Sequence, residues 1–163
     1  MYDNSKGRRI TMSKEAKYSA LQIAEWFLNY NRKQMNEEDA EYITNLKLQK
    51  LLYYAQGCYL ALTDNPLFKE DILAWEHGPV VNEVYQKYKI NGARGIQYDE
   101  KFCENIDEQT QNILKQVYEV FGSYSAWALR NKTHQEAPWQ KTIRNDIIDL
   151  GLIKKYFKGR YVK

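Results

Sequence analysis

The chain has 163 residues, of which 44% are hydrophobic and 28% charged, and its formal net charge is +3. That length predicts a single domain that can bury about two thirds of the surface of its unfolded chain. No apolar run approaches the length of a membrane span, and the N-terminus lacks the apolar core of a signal peptide. We therefore expect a soluble, cytoplasmic protein with no membrane partner.

The positive charge is concentrated at the two ends of the chain. Basic residues exceed acidic ones by three in residues 1–17 and by four in residues 143–163, so the body between them carries a net −4. Basic ends on an acidic body suit binding to nucleic acid or to an acidic partner, and solvated, frayed termini are the alternative. A nucleic-acid partner is the weakest candidate, because the sequence contains no helix-turn-helix signal.

Two further features of the composition bear on function. The two cysteines, Cys58 and Cys103, lie far apart without a CxxC motif, which favours buried thiols in a reducing compartment over a disulfide or a zinc site. The chain also contains fourteen tyrosines and four tryptophans. Such side chains suit half-buried interfaces, and they equally suit the core of a small helical domain.

The first half of the chain is predicted to contain a basic arm, a first helix and a long central helix. Residues 1–16 show no periodicity and are interpreted as a mobile arm, and the first helix is expected at about 17–30. Residues 31–36 break the pattern, and residues 37–43 form a short turn or a loop. Thr44 or Asn45 is placed to cap the central helix. The helical spacing in that helix is carried by Leu48, Leu51, Leu52, Ala55, Cys58, Tyr59 and Leu62.

A short extended segment is predicted after the turn at Asp64-Asn65-Pro66. Residues 72–75 are too short for a helix and are predicted to form a strand, paired with residues 96–98 if the protein contains a sheet. Gly78-Pro79 is predicted to end this segment, and Pro79 is expected at the first position of the next helix.

Three helices are predicted in the second half. The first is capped by Asp107, has Ile113, Leu114, Val117, Tyr118, Val120 and Phe121 inward, and ends at Gly122. A short helix begins at Ser123 or Ser125 and runs through Arg130, residues 133–139 are irregular, and the last helix begins at Asp149. The fold class is therefore mainly α: residues 17–163 form one compact bundle of about six helices, with at most a small two-stranded β element.

The two histidines are the natural candidates for chemistry. His77 follows Glu76, and His134 precedes Glu136, so each imidazole has a carboxylate nearby that could support acid–base catalysis or metal binding. The spacing does not match an HExxH helix, and neither a GxSxG nor a GxxxxGK[ST] motif is present. A cap or a loop-closing hydrogen bond is the favoured interpretation, so we predict no catalytic residue, metal or cofactor. A hydrolase or metal enzyme using His134, Glu136 and His77 is the alternative.

Four sequence blocks carry a resemblance to a known family. LKLQKLLYYAQG, PLF, AWEHGPVVNEVY and THQEAPW, taken in order between Tyr18 and Phe157, together resemble the Panacea domain, also called the SocA-like antitoxin domain. The resemblance implies a non-enzymatic protein that binds and neutralises a toxin, in one branch as an adaptor that hands the toxin to a protease. Because members are also phage-associated, inhibition of a host defence protein is an alternative.

The matched blocks supply the candidate protein-binding residues. Two loops, each with a proline, a tryptophan and a histidine, could form one docking surface, and the alternative is that the tryptophans are core side chains. Lys50, in the KLLY block, could pair with a buried carboxylate, contact the partner, or extend along the helix with its ammonium in water. The full set is Lys50, Trp75, His77, Gly78, Pro79, Tyr85, His134, Glu136, Pro138 and Trp139.

Overall fold

A computed structural model describes residues 16–35, 41–98 and 105–162, together with the backbone of Tyr2–Asp3 and Arg8–Arg9. The described residues contain seven α-helices, a 3-10 turn at Lys89–Asn91 and two antiparallel two-stranded sheets. The helices are α1 Ala20–Gln34, α2 Asn45–Thr63, α3 Asn82–Tyr88, α4 Glu108–Phe121, α5 Ala126–His134, α6 Ala137–Gln140 and α7 Leu150–Arg160. The strands are β1 Tyr2–Asp3, β2 Arg8–Arg9, β3 Leu73–Trp75 and β4 Gly78–Val80.

The predicted helical bundle with a small β element is confirmed. Helix α6 is the addition to the predicted count, and it begins at Ala137. The prediction of an irregular chain over residues 133–139 was therefore wrong. Helix α5 continues to His134, and Pro138 then lies in the first turn of α6. A proline is tolerated there because the first amides of a helix have no intrahelical acceptor.

Helix α2 is the centre of the fold. Of the two predicted caps, Thr44 and Asn45, it is Thr44 that caps the helix, by accepting a hydrogen bond from the Lys47 amide at 3.2 Å. Fourteen of its nineteen residues are buried, so it is covered almost all round by α1, α4, α5 and α7 rather than along one stripe. The predicted inward position of Leu62 is wrong, because that side chain is 52% exposed near the C-terminal end of the helix.

Helix α7 packs unusually close to α2 because one position on α2 lacks a side chain. A Cβ atom at Gly57 would lie 2.4 Å from ring atoms of Phe157. The same ring lies edge-on to Tyr53, with centroids 5.4 Å apart. Gly57 thus lets the aromatic residues of α7 pack directly against the backbone of the central helix.

The β3–β4 hairpin corrects two predictions. Strand β3 pairs with β4, Trp75 opposite Gly78, and not with residues 96–98; the Ile96 amide instead donates to the Ile43 carbonyl at 2.7 Å. Pro79 therefore lies in a strand and not at a helix start. The hairpin turns through Glu76 and His77, and Gly78 makes this possible with a φ of +105°, a conformation that side-chain-bearing residues rarely adopt.

A returning segment covers the other edge of β3. The Asn145 amide donates to the Ala74 carbonyl at 2.7 Å, and the Ala74 amide donates to the Asp146 carbonyl at 2.9 Å. The hairpin is thereby fixed between α2 on one side and residues 145–148 on the other.

Most helix ends agree with the sequence, and the differences have local causes. Asp107, Ser125 and Asp149 cap α4, α5 and α7 as predicted. Helix α1 continues past the predicted end at residue 30, because Asn31 is buried and donates to the Glu41 carbonyl and the Tyr118 hydroxyl, each at 3.0 Å. Val120, predicted inward, is 56% exposed. Residues 36–40, Cys103 and most of the predicted arm lie outside the described residues.

Candidate functional site

Polar residues in the first turns of α2 hold the segment from β4 to α3. The Gln49 side chain accepts from the Val81 amide at 2.9 Å and donates to Asn45 Oδ1 at 2.9 Å. Asn45 in turn donates to the Tyr85 carbonyl at 3.1 Å. These buried side-chain amides satisfy the Val81 amide after β4 and the Tyr85 carbonyl of α3, so the central helix fixes the segment that leads from the hairpin into α3.

Lys50 lies within the core and not along the surface. Its side chain is 0% exposed, and its ammonium donates to the Pro79 carbonyl at 3.1 Å. Two of the three expectations for it, a carboxylate partner and an ammonium in water, are wrong, because the ammonium is buried and donates to a main-chain oxygen. Contact with a binding partner stays a prediction. Burial, with a smaller contribution from the charge of Arg130, lowers the pKa of Lys50 to about 7.

Gly78 is required where the hairpin meets Lys50. A Cβ at this position would lie 2.7 Å from Lys50 Cε and 2.7 Å from Thr133 Oγ1. The hairpin, α2 and α5 therefore meet at a point where only a glycine fits. This contact joins the AWEHGPVVNEVY block to both the central helix and the THQEAPW block.

The two predicted loops do come together, through Trp139. Its indole Nε1 donates to the Trp75 carbonyl at 2.7 Å. The imidazole of His134 stacks on the Trp139 ring at 3.8 Å with an interplanar angle of 8°, and the Arg144 guanidinium lies 3.6 Å from the ring centroid. Since the imidazole occupies one face of the indole, the guanidinium must occupy the other.

An exposed cluster lies on the other side of the hairpin turn, at the start of α5. Arg130 donates to His77 Nδ1 at 3.2 Å, and its guanidinium lies 4.4 Å from the centroid of the Trp127 ring. Trp127 is 54% exposed and Tyr124, just before the helix, is 41% exposed. We call these four residues, His77, Tyr124, Trp127 and Arg130, the aromatic face.

A cleft adjoins the hairpin on the side of α3. It has a volume of about 490 Å³ and is lined mainly by residues of α2, the hairpin, α3 and the turn after the 3-10 segment. Trp75 and Tyr85, whose rings meet edge to face at 5.1 Å, form part of its wall, and His77 lies on it as well as in the aromatic face. The cleft and the aromatic face therefore form one continuous surface around the turn.

Glu136 lies in the core and is held by three tyrosines. The hydroxyls of Tyr53, Tyr54 and Tyr161 donate to its carboxylate at 2.9, 3.1 and 2.5 Å. Burial raises the pKa of Glu136, although these hydrogen bonds act in the opposite direction. Sequence analysis did not find this cluster, since Tyr161 is 25 residues from Glu136 along the chain.

Cationic groups surround His134. Its pKa is lowered by burial and by the charges of Arg130, Lys50 and Arg144, while a backbone hydrogen bond with Glu76 acts in the opposite direction. Its Nε2 atom is buried and has no hydrogen-bond partner among the described residues. Within the same described ranges, no group of three or more His, Cys, Asp and Glu side chains is placed to hold a metal ion.

The ten predicted site residues fall into two groups. Lys50, Gly78, Pro79, Pro138 and Glu136 are buried and hold the loops. Trp75, His77, Tyr85, His134 and Trp139 are exposed or half-buried around the turn. A partner-binding role for any of them stays a prediction. Trp127, Arg130 and Arg144 were missed, although the spacing of Trp127 and Arg130 by three residues places them on one face of a helix.

The comparisons with known proteins identify the family. The family model described as "Antitoxin SocA-like, Panacea domain" matches residues 48–140, more than half of the chain, which includes the hairpin and both loops. The chain belongs to this family, and the resemblance inferred from the four blocks is confirmed. No solved structure matches the chain.

A curated relative extends this result. The chain is 32% identical over 122 residues to the protein named "Antitoxin SocA" from Caulobacter vibrioides (strain NA1000 / CB15N), a match that covers 68% of this chain and 65% of the relative. The matched region thus spans less than two thirds of that protein. Separately, no helix among the described residues is both long and apolar enough to cross a lipid bilayer.

Proposed function

We propose that this protein is an antitoxin that neutralises a protein toxin by binding it directly. Membership of the SocA-like antitoxin family is the observation that carries the proposal. The name of the relative, an antitoxin, supports it. The mode of binding is argued from the surface around the hairpin.

The aromatic face and the adjoining cleft provide the docking surface in this proposal. Exposed tryptophans and arginines supply much of the binding free energy at protein interfaces, because they offer a large contact area together with hydrogen-bond donors. Trp127 and Arg130 are such a pair, already in contact with each other. The cleft beside them offers a recess, walled in part by Trp75 and Tyr85, for a side chain of the toxin.

The proposal assigns the protein a binding role and no catalytic role. The carboxylate of Glu136 is engaged by three tyrosine hydroxyls inside the core, and the imidazole of His134 is stacked against Trp139. Neither side chain is therefore arranged as the acid–base pair that the alternative enzymatic hypothesis requires.

The test is co-expression with the product of the adjacent small reading frame. We expect that product to arrest growth when expressed alone, and expect this chain to restore growth and to co-purify with the product at a fixed ratio. The variant Trp127→Ala should restore growth less well, whereas Ile90→Ala, at an 86% exposed site on the 3-10 turn, should behave as wild type. An adjacent product that neither arrests growth nor binds this chain contradicts the proposal.

The same cells show how the toxin is neutralised. Occlusion predicts that the toxin persists in complex with this chain after protein synthesis stops. Delivery to a protease predicts that the toxin disappears faster when this chain is present, and that it is restored when the host protease is inactivated.

A further inference from the structure

We propose that the partner contributes an acidic segment whose carboxylates pair with Arg130 and Arg144 beside the Glu76–His77 turn. This inference rests on the proposed function and adds the chemistry of the partner. It depends on four observations. Two arginines are held in place, and no carboxylate among the described residues neutralises them. Positive charge is concentrated at the turn, and the exposed rings of Tyr124 and Trp127 lie beside Arg130.

Arg130 is held in place by its contacts on α5 and the hairpin. Its Nε donates to His77, its Nη1 donates to Asn131 Oδ1 at 2.9 Å, and its guanidinium lies over Trp127. The guanidinium has five N–H donors, and these two hydrogen bonds leave further donors available to a ligand.

Arg144 is held in a comparable way on the second loop. Its Nη2 donates to the carbonyls of Trp139 and Thr142, at 2.7 and 2.8 Å, while the guanidinium lies against the Trp139 ring. Trp139 is in turn bonded to the backbone of Trp75, so Arg144 is fixed relative to the same hairpin that contacts Arg130.

Neither arginine is neutralised by the part of the chain that the structure describes. The ion pairs in that part join Lys17 to Asp107, and Lys154 and Lys158 to Asp64. Glu76, in the turn itself, is exposed and lies within ion-pair distance of no described cation. Among the described residues, neither the half-buried Arg130 nor the exposed Arg144 therefore has a carboxylate partner.

Positive charge converges on this turn from three elements. Lys50 reaches Pro79 from α2, Arg130 reaches His77 from α5, and Arg144 approaches through Trp139. The lowered pKa of His134, to which all three cations contribute, supports the same convergence. A local positive field on a molecule whose central residues are acidic overall attracts a negatively charged partner and orients it.

The fixed geometry favours carboxylates as the ligand. Each guanidinium keeps N–H groups that can donate to a carboxylate: those of Nη2 on Arg130, and those of Nε and Nη1 on Arg144, whose Nη2 already donates to two carbonyls. An arginine already held by stacking loses little side-chain entropy on binding. The rings of Trp127 and Tyr124 beside Arg130 then offer an apolar contact for the residue that follows the acidic one. An acidic polypeptide carrying a neighbouring apolar side chain fits both.

The experiment follows the tryptophan indole N–H signals of the full chain by ¹⁵N NMR. The probes are a synthetic peptide alternating Glu with Leu and Ser, and the same peptide with Gln in place of each Glu. We expect the acidic peptide to shift the signals of Trp127 and Trp139, and expect the Gln peptide to shift neither. Trp26 is the internal reference, because its Nε1 is buried and donates to Gln111 at 3.2 Å.

Two variants and a control locate the site. Arg130→Gln and Arg144→Gln should each weaken binding of the acidic peptide by about tenfold, which corresponds to one charged hydrogen-bonded pair. Lys115→Gln, at an exposed position of α4, makes the same change of charge on a helix that lines neither the cleft nor the aromatic face, and it should retain wild-type affinity. An unchanged Trp26 signal establishes that each variant is folded.

Three results overturn the inference: equal shifts with the Gln peptide, equal loss of affinity in Lys115→Gln, or shifts produced only by a single-stranded oligonucleotide. The outcome is distinguishable from that of the proposed function. A toxin that binds wild type and the double variant Arg130→Gln/Arg144→Gln equally well overturns the acidic-segment inference and leaves toxin neutralisation standing. If the acidic peptide binds but the adjacent product neither arrests growth nor binds this chain, the result supports the site and contradicts the proposed function.

Discussion

At the scale of single residues, the site is organised by a buried lysine and a glycine that face each other. Lys50 reaches the hairpin from α2 and donates to Pro79, and Gly78 leaves the space that the lysine side chain occupies. Burying an ammonium in this way is costly, and one main-chain hydrogen bond offsets only part of that cost. The hairpin is consequently sensitive to substitution at either position.

Replacing Gly78 by alanine should destabilise the protein. The φ of +105° and the two 2.7 Å contacts of the added Cβ together predict a loss of at least about 2 kcal/mol in the free energy of unfolding, measured by urea denaturation. The control is Gly159→Ala near the end of α7, where a Cβ meets no atom within 4 Å and stability should be unchanged or slightly higher. Equal stability of the two variants contradicts the packing described for Gly78.

Lys50 should give the stability of the protein a dependence on pH above neutrality. Its folded-state pKa of about 7 lies below the ordinary value of 10.5, so between these values the unfolded chain binds more protons and stability rises with pH. Lys50→Met should remove a rise on the order of 4 kcal/mol between pH 7 and pH 10 and should stabilise the protein at pH 6. Urea denaturation across this pH range measures both effects.

The matched control is Lys89→Met, an exposed lysine on the same cleft, which should retain the rise seen in the wild type. If the stability of the Lys50→Met protein follows the wild-type curve through this range, the result contradicts a buried Lys50 that loses its proton above neutral pH in the folded protein. The comparison between variants isolates Lys50 from the other titrating groups, because those groups are common to both proteins.

At the scale of elements, α2 contacts most of the other helices and also fixes the hairpin and the start of α3. Its apolar residues contact α1, α4, α5 and α7, while its polar residues, Asn45, Gln49, Lys50 and Gln56, bond to main-chain groups of the connecting segments. Gln56, for example, accepts from the Leu67 amide at 2.6 Å and donates to the Phe68 carbonyl at 2.9 Å. One helix thus provides both the core and the fixed points for the loops.

The C-terminal end of α7 is joined to this core by the Tyr161 hydroxyl as well as by aromatic packing. Tyr161→Phe removes a 2.5 Å hydrogen bond to the buried Glu136 carboxylate and should cost about 1–3 kcal/mol. Amide hydrogen exchange should accelerate in the last turns of α7 before it accelerates in α2. Tyr59→Phe on α2 is the control and should be nearly neutral, because the Tyr59 hydroxyl has no hydrogen-bond partner among the described residues. A Tyr161→Phe protein as stable as this control contradicts the role of the tyrosine cluster.

How far the sequence predicts these elements depends on the range of the interactions. Helix caps at Thr44, Asp107, Ser125 and Asp149 were predictable because each bonds to an amide three residues away. The pairing of β3 with β4 was not predictable, because a proline that follows a glycine also fits the first position of a helix. The polar residues within α2 were noticed, but their partners, such as Val81 for Gln49, lie far along the chain.

In the candidate site, too, the contacts within the motifs were predictable and the long-range contacts were not. The two motif loops were expected to meet, and Trp139 does bond to the Trp75 backbone. The aromatic face was missed because Trp127 lies outside the four blocks, and its exposure is decided by the packing of α5 against α2 and the hairpin. Exposure of a tryptophan is a tertiary property that periodicity alone does not give.

At the scale of the whole molecule, the helices and the hairpin form an ordered surface, and we propose that another polypeptide binds there. Its hairpin is fixed by α2 on one side and by residues 145–148 on the other, so little reorganisation is required on binding. Antitoxin family membership and this surface together support direct neutralisation of a toxin.

The most direct measurement of this claim is the affinity of the purified toxin for this chain and for two variants, by titration calorimetry. We expect tight binding to the wild type and to Ile90→Ala, and a loss of at least about thirtyfold in Trp127→Ala, because a tryptophan at the centre of an interface contributes at least about 2 kcal/mol. A toxin that binds wild type and Trp127→Ala with the same affinity contradicts the assignment of the docking surface. A toxin that does not bind the wild type contradicts direct neutralisation itself.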